Sequence, residues 1–482
     1  MYCITTTIYV PNRKNEMKRR GTLWIWLAAA VLAITACEIP TGKTAEASLD
    51  PATYADKAQD AALLHESVDA LTEVIIHDIF SPPVAARIYA YPSIAAYEIL
   101  QQRDEEHRSL AGQLTDLTAI PTPDAGQDIC YELSALHAFG VVGRALIFSE
   151  AKMTAHLESV HTRYREMGVR GERFEQSVAY GEAVAQHILA WSASDRYKQT
   201  RTFAKYSIDR DQPSRWQPTP PKYHEGIEPH WREIRTFVLD SAQQFMPPRP
   251  TAFSLDKSSP FYKEVMEVYE AGKLERGDLS PEREEQLAIA SFWDCNPYVV
   301  SIEGHAMYAT KKITPGGHWM GITRIACETA EADLLRTAEA YAMTTLALMD
   351  GFISCWDEKY RSNLVRPETY INTYIDENWM PVLQTPPFPE YTSGHSVVSG
   401  AASTVLTELF GEDFAFRDTS EEPYGLPARN FSSFKAAAEE AAISRLYGGI
   451  HYMPAIENGI VQGRAIGSFI LKEVETRIPK PM

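Results

Sequence analysis

Three short segments in the C-terminal part of the chain hold basic and imidazole side chains at close spacing. WDEKYRSNLVRP contains Lys359 and Arg366, PPFPEYTSGH ends at His395, and SRLYGGIH contains Arg445 and His451. Arginine can bind two oxygens of an anion at once, and lysine adds a compact positive charge. Imidazole moves protons near neutral pH or binds a metal. These five residues are the types that a site for a tetrahedral oxyanion requires.

The second segment also supplies small residues where a helix is predicted to begin. Ser393 and Gly394 precede His395 and the helical run SVVSGAASTVLTELF. Backbone N–H groups at a helix N-terminus attract anions, and a glycine lets the backbone approach them closely. We therefore expect the backbone of Gly394 and the hydroxyl of Ser393 to bind the same anion. Taken singly, such residues are ordinary surface or core residues, so the prediction rests on their occurring together.

In order, the three segments resemble the K-x6-RP, PSGH and SR-x5-H motifs of the superfamily of vanadium-dependent haloperoxidases and type 2 phosphatidic acid phosphatases. Thr392 replaces the proline of the second motif, and the wider context of the first two segments resembles the haloperoxidases most. The resemblance implies that vanadate or phosphate oxygens are held by a set of five residues, namely Lys359, Arg366, Ser393, Gly394 and Arg445.

The resemblance also implies roles for the two histidines. His451 is expected to be the apical ligand of vanadium, or the nucleophile that accepts a phosphoryl group, and His395 is expected to be the acid/base. Lys359 is expected to act in catalysis as well as in binding. Phe388 matches an aromatic position of chloroperoxidase-type members. Trp356 lies one helical turn before Lys359, so it can form a wall of the same pocket.

One position departs from the family pattern. The family often has an aspartate four residues after the apical histidine, whereas this chain has Ala455 there. We expect Glu457 or Asp294 to orient His451 instead, because a histidine without a carboxylate partner is a poorer nucleophile. Loss of the carboxylate would weaken phosphatase chemistry more than vanadium coordination.

The function that the resemblance implies is a haloperoxidase that oxidises halide with hydrogen peroxide at bound vanadate and serves an organic acceptor. A first alternative is an acid phosphatase that needs no cofactor and uses His451 as nucleophile on a phosphomonoester or a lipid phosphate. A second is a non-catalytic oxyanion-binding lipoprotein. The sequence does not indicate an oligomeric state.

Apolar residues recur at helical spacing through most of the chain, and alternating strand patterns are scarce. We therefore predict an all-α fold of packed helical bundles, which the resemblance implies are of the vanadium haloperoxidase and acid phosphatase type. Residues 201–260 are rich in proline and charge and lack this periodicity, so they predict an irregular connection. It would separate an N-terminal helical region (38–200) from a C-terminal domain (261–482) that carries the anion site.

Two glycine patterns carry structural predictions. Gly459, Gly463 and Gly467 lie one helical turn apart, which predicts close packing of the last helix against a neighbour. The segment that contains His305 and His318 also has two adjacent glycines, and it is predicted to form a loop near the mouth of the pocket.

The N-terminus has the features of an export signal. A basic stretch precedes the apolar run TLWIWLAAAVLAITA, which ends beside Cys37 in a pattern that resembles a bacterial lipobox. We predict a signal peptide at residues 1–36, lipidation of Cys37, and a membrane-anchored lipoprotein that faces the periplasm or cell exterior. The net charge of −18 argues against nucleic acid or anionic lipid as a partner, so the lipid would be the only membrane anchor.

Overall fold

The computed structural model describes most of the chain, namely residues 59–273, 279–303 and 306–478. The predicted signal peptide (1–36), Cys37 and His305 lie outside these residues. No helix in the described part is both long and apolar enough to cross a membrane.

The prediction of an all-α fold is confirmed. The described α-helices are α1 (Ala62–Asp78), α2 (Pro82–Leu100), α3 (Tyr131–Ala145), α4 (Glu150–Glu166), α5 (Gly171–Ala193), α6 (Tyr197–Thr200), α7 (Pro260–Ala271), α8 (Pro281–Phe292), α9 (Pro315–Thr329), α10 (Leu334–Ser362), α11 (Pro367–Tyr374), α12 (Gly394–Phe410), α13 (Phe434–Tyr447) and α14 (Met453–Glu473). Two short antiparallel hairpins pair β1 (Val300–Glu303) with β2 (Ala306–Ala309) and β3 (Phe416–Asp418) with β4 (Arg429–Phe431).

Several helices begin at a serine or threonine followed by proline. Ser81, Ser259, Ser280 and Thr314 each accept a hydrogen bond from a backbone N–H of the first turn, and each is followed by a proline at the first helical position. The side-chain oxygen satisfies an otherwise unpaired donor, and proline already has the helical φ angle. This local chemistry fixes where α2, α7, α8 and α9 start.

The helices pack in two groups that share one long helix. In the N-terminal group α3 contacts α2, α4 and α5, and in the C-terminal group α12 contacts α10, α13 and α14. Helix α10, which has 29 residues, also packs along α2, so it belongs to both groups. The three segments that resemble the family motifs lie at the end of α10, before α12 and at the end of α13. Packing of these helices therefore brings the segments together.

The irregular segment predicted at residues 201–260 contains no α-helix between Thr200 and Pro260. It covers the first two motifs from outside: the Ile227 backbone N–H donates to Pro387, and its carbonyl accepts from the Trp356 and Tyr360 side chains. The segment thus braces the region of the predicted site. The division of the chain into separate domains stays a prediction.

Further along, the irregular segment is anchored to α10 by one buried carboxylate. Asp350 accepts hydrogen bonds from the backbone N–H groups of Phe237, Val238 and Leu239 at 2.7 to 3.0 Å. Three donors satisfy a carboxylate that burial would otherwise penalise. A long non-helical stretch therefore has a fixed position against the helix that ends at Lys359.

The last helix packs as its glycines predicted. A Cβ at Gly463 would overlap the Val397 carbonyl of α12, and one at Gly467 would lie 2.7 Å from the carbonyl of Ala401. These glycines let the backbones of α14 and α12 touch, so α14 fixes the helix whose first turn contains His395.

We expect Gly463→Ala to lower the free energy of unfolding by about 3 kcal/mol, because the added methyl group must push α12 and α14 apart. Urea denaturation followed by circular dichroism measures the loss. Val461→Ala on the same helix is the control, since Val461 is 65% exposed and its truncation should cost less than about 0.5 kcal/mol. Equal stability of the two variants would contradict the close packing.

Candidate active site

Three cationic side chains are fully buried where the motif segments meet. Lys359 lies in the last turn of α10, Arg366 directly precedes α11, and Arg445 lies in the last turn of α13. Their exposed fractions are 0%, 0% and 1%. Within the described part of the chain, no carboxylate lies at ion-pair distance from any of the three, although burying an unpaired charge costs several kcal/mol.

Each of the two arginines has a nitrogen donor without a hydrogen-bond acceptor in the part of the chain that the structure describes. Arg366 donates from Nε to the Phe388 carbonyl at 2.8 Å and from Nη1 to the Ile450 carbonyl at 2.9 Å. Arg445 donates from Nε to the Ser444 hydroxyl at 3.1 Å. The Nη2 atoms of both arginines are buried and have no hydrogen-bond partner among the described residues. Buried guanidinium nitrogens are rarely left without an acceptor, so these two atoms fit the oxygens of an anion.

Lys359 is held differently from the arginines. Its Nζ donates to the carbonyl oxygens of Pro389, Glu390 and Thr392 at 3.0, 3.0 and 2.5 Å. These bonds use all three ammonium protons, so Lys359 shapes the loop before α12 and acts on the cavity through its charge. Burial, with Arg366 nearby, lowers the pKa of Lys359 to about 7.

His451 has a partner on each ring nitrogen, and these partners fix its tautomer. Nδ1 lies 2.8 Å from Oε1 of Glu390, and Nε2 lies 3.1 Å from Nη1 of Arg366. Because a guanidinium can only donate, Nε2 must be the acceptor and Nδ1 must carry the proton. Burial and the neighbouring charges of Arg366 and Lys359 hold the pKa of His451 well below its usual range. His451 is therefore neutral, and Nε2, whose lone pair accepts from Arg366 here, is the ring atom that could ligate a metal.

The start of α12 forms another side of the site. Ser393 caps the helix by accepting from the Ser396 N–H at 3.3 Å, so its hydroxyl proton remains free to donate to an anion. A Cβ at Gly394 would project toward the Trp356 ring, 3.6 Å away. His395 is half-buried and faces Arg445, with 3.4 Å between Nε2 and Nη1. Burial and Arg445 lower the pKa of His395 well below its usual range.

Two aromatic rings complete the wall on the α10 side. The Trp356 and Phe388 ring centroids are 5.0 Å apart. Lys359 Nζ and the Arg366 guanidinium carbon each lie 5.0 Å from the Phe388 centroid, which is within cation–π range. A narrow cavity is lined by Trp356, Phe388 and other predicted site residues, namely Gly394, His395, Arg445 and His451. The structure thus places six of the predicted site residues around one cavity, whereas Lys359, Arg366 and Ser393 are not among the residues that line it.

Glu390 is the residue that sequence reasoning missed. It lies in the second motif segment, is fully buried, and accepts from both the His451 ring and the Tyr452 N–H through Oε1. Burial raises its pKa to about 7. The presence of a carboxylate inside PPFPEYTSGH is the signal in the sequence. Because Glu390 lies far from His451 in the chain, local spacing does not connect the two residues.

The two carboxylates predicted to orient His451 do not do so. Glu457 lies on an exposed position of α14, and Asp294 pairs with Lys312. The helical periodicity of α14 turns Glu457 away from the cavity, whereas Asp294 acts on Arg445 only through its charge. Glu390 occupies the position beside Nδ1 that these residues were expected to fill, and Ala455 is a buried residue whose carbonyl accepts from the Ser393 N–H.

The loop predicted around His318 is also wrong. Residues 316–319 form the first turn of α9, because Thr314 and Pro315 start a helix there. His318 is completely buried and pairs with Asp418 at 2.8 Å, so it does not lie at the mouth of the cavity. Cys130, Cys295, Cys327 and Cys355 are all buried.

The solved structures to which this chain is similar include a near relative and a more distant protein in two forms. The chain is similar to the crystal structure of a bacterial vanadium-dependent iodoperoxidase, with a TM-score of 0.82, 55% identity, and coverage of 87% of this chain and 98% of the other. The holo and apo forms of a bacterial vanadium-dependent chloroperoxidase each have 17% sequence identity to this chain and a TM-score of 0.60. Each match covers 82% of this chain, and it covers 93% of the holo chain and 94% of the apo chain. At this identity the similarity shows the fold alone.

Two further comparisons used sequence alone. Residues 339–479 match the family model described as the VCPO second helical-bundle domain, which spans all three motif segments. No curated protein sequence matches the chain.

The contact between Glu390 and His451 predicts graded losses of oxyanion affinity. Glu390→Gln keeps an oxygen that can accept both hydrogen bonds but removes the charge, so we expect vanadate affinity to fall about tenfold. Glu390→Ala removes the acceptor as well and should weaken binding by about 100-fold. Equilibrium dialysis with vanadate measures both. Glu457→Gln is the matched control, and an equal loss in that variant would contradict the assignment.

Proposed function

This chain belongs to the vanadium-dependent haloperoxidases, and from this premise we propose that its halide substrate is iodide. The enzyme uses vanadate as its cofactor and oxidises halide with hydrogen peroxide. The support for iodide is the 55% identity to an iodoperoxidase over nearly the whole length of that protein. The chloroperoxidases, at 17% identity, give no comparable support for chloride.

The observation that carries the proposed site is the set of three buried cations that have no carboxylate at ion-pair distance among the described residues. Bound vanadate would supply negative charge, and the orphaned Nη2 atoms of Arg366 and Arg445 would donate to its oxygens. Nε2 of the neutral His451 would be the metal ligand. The residues present therefore fit the cofactor in charge, in donors and in ligand type.

We assign each residue a separate task. Arg366, Arg445, Ser393 and the Gly394 backbone bind oxygens, while Glu390 holds the proton on Nδ1 of His451 so that Nε2 faces the metal. His395, opposite Arg445, would hold or release a proton beside the oxyanion, since an anion beside it offsets the charge of Arg445. Vanadate, when bound, makes the peroxide oxygen electrophilic toward halide, and the charge of Lys359 favours that polarisation.

Glu390 also bears on the two alternatives predicted from the sequence. Two arguments depended on the missing carboxylate at Ala455. One was that phosphatase chemistry would be weakened, and the other was that the protein binds an oxyanion without catalysing a reaction. Because Glu390 supplies that carboxylate, neither a weakened nucleophile nor a lost activity follows from Ala455. Family membership favours the haloperoxidase, and the same protein sample can test phosphatase activity.

Purified protein supplied with peroxide should form triiodide from iodide only after vanadate is added. It should oxidise bromide more slowly than iodide. His451→Ala should abolish the activity, because it removes the proposed ligand of the metal. Absorbance of triiodide measures the rate, and His230→Ala, which changes a histidine that contacts the Ala204 carbonyl and does not line the cavity, should leave it unchanged. A faster reaction with bromide would contradict the choice of iodide. Phosphate release from a chromogenic monoester, inhibited by vanadate, would favour the phosphatase instead.

The lowered pKa of Lys359 predicts how vanadate affinity depends on pH. The bound anion stabilises the charged lysine, so above about pH 7 binding must take up a proton, and affinity should fall by up to about tenfold per pH unit. Calorimetric titration between pH 6 and 9, from about one unit below that pKa to about two units above it, measures this.

The matching variants separate the lysine from the titration of vanadate itself. Lys359→Met should bind more weakly at low pH and lose affinity less steeply, whereas Lys435→Met, whose side chain is 40% exposed and pairs with Glu412, should follow the native curve. Identical slopes in all three proteins would show that Lys359 keeps its charge throughout.

Export and lipid anchoring are proposed from the N-terminal sequence alone. The basic stretch, the apolar run and Cys37 support a lipoprotein held at the membrane outside the cytoplasm. Cys37→Ala should move the protein from the membrane fraction to the soluble fraction on immunoblots. Unchanged membrane retention in that variant would contradict lipidation at Cys37.

A further inference from the structure

A second group of ligand-type side chains lies beside the oxyanion site and has no part in the proposed reaction. Cys295 follows α8, His318 is in the first turn of α9, and Glu421 follows β3. All three are buried, with exposed fractions of 1%, 0% and 4%. They are the only described residues whose metal-ligating atoms form such a group outside the oxyanion site.

The distances among the three ligand atoms are those of a tetrahedral metal site. Cys295 Sγ lies 3.5 Å from His318 Nδ1 and 3.8 Å from Glu421 Oε1, and Nδ1 lies 3.4 Å from the same oxygen. Zinc bonds of about 2.3 Å to sulfur and about 2.0 Å to nitrogen and oxygen place tetrahedral ligand atoms roughly 3.3 to 3.6 Å apart. Little movement is needed to bring the three atoms onto one ion.

The surrounding residues fix the histidine in the orientation that a metal ligand needs. Asp418 Oδ2 lies 2.8 Å from His318 Nε2 and directs Nδ1 toward Cys295 and Glu421. The Trp293 ring stacks on the imidazole at a centroid distance of 4.4 Å and an angle of 18°. A carboxylate on the distal nitrogen is the usual support of a metal-bound histidine.

We propose that Cys295, His318 and Glu421 bind a zinc ion, with Asp418 as the carboxylate that supports His318. A thiolate, an imidazole and a carboxylate suit zinc, whereas calcium and magnesium require oxygen ligands. Ligation would use the thiolate of Cys295 and the unprotonated Nδ1 of His318, and the protons on these atoms would pass to solvent.

The proposed ion joins three segments that have no helix in common. It ties the end of α8 to the start of α9 and to the turn after β3, where a Cβ at Gly321 of α9 would lie only 2.5 Å from the Ser420 hydroxyl. Cys295 also lines the cavity that contains His395 and Arg445. The zinc ion is thus a structural support behind the vanadate pocket, and it is distinct from the cofactor.

Elemental analysis of the full-length protein purified without chelator should find about one zinc ion per chain, as expected for a buried site whose three protein ligands already lie close together. Exchange with Co²⁺ should give an intense thiolate-to-cobalt charge-transfer band. Neither readout depends on halide oxidation, so failure of the zinc proposal and failure of the proposed function are distinguishable. If the native protein contains no zinc and gives no thiolate band with saturating Co²⁺, the cluster is only a hydrogen-bonded ion pair and the proposal is overturned.

Matched variants test the assignment of the ligands. Cys295→Ser should abolish the charge-transfer band, while Cys327→Ser, which changes another buried free cysteine, should keep it. Glu421→Gln should lower zinc affinity by more than about tenfold, and Glu422→Gln should not. Thermal unfolding of the native protein with and without zinc serves as a second measurement if Cys295→Ser does not fold. A band that survives in folded Cys295→Ser also overturns the proposal.

Discussion

The arrangement of the site depends on three buried positive charges that the chain itself does not neutralise. Lys359, Arg366 and Arg445 are held by carbonyl oxygens, a serine hydroxyl and aromatic faces, and none has a described carboxylate at ion-pair distance. Such an arrangement opposes folding, because charge is removed from water without a directly paired counter-charge. The large apolar core of the two helical groups offsets that cost. An oxyanion cofactor is therefore bound by charge that the fold has already confined.

The backbone of the segment before α12 connects these charges to the rest of the molecule. The Phe388 carbonyl accepts from Arg366, and the carbonyls of Pro389, Glu390 and Thr392 accept from Lys359. The Ser393 N–H donates to Ala455 of α14. Ile227 of the irregular segment holds the same stretch from outside through Pro387. One short segment thus receives contacts from α10, α14 and residues 201–260, which explains why its prolines and its position matter as much as its histidine.

The sequence predicted most of the site because its chemistry is concentrated in short motifs. Lys359, Arg366, Ser393, Gly394, His395, Arg445 and His451 were each identified by residue type and spacing, and the all-α fold followed from helical periodicity. Glu390 was missed because its contact with His451 is set by tertiary packing. Glu457 was chosen from proximity in the chain, but the turn of α14 exposes it. The predicted loop at residues 316–319 was wrong because Thr314 and Pro315 outweigh two glycines.

The hydrogen bond from Arg366 to Nε2 of His451 decides which form of a metal can reach that nitrogen. A free divalent cation would meet a guanidinium on the lone pair, with two more positive charges close by, and would be repelled. An oxyanion carries its metal inside a negative shell, so the same charges attract it and Arg366 can turn from nitrogen to oxygen. The pocket therefore selects metals by the charge of the species they form in solution, and coordination geometry matters only for the anionic species that can enter.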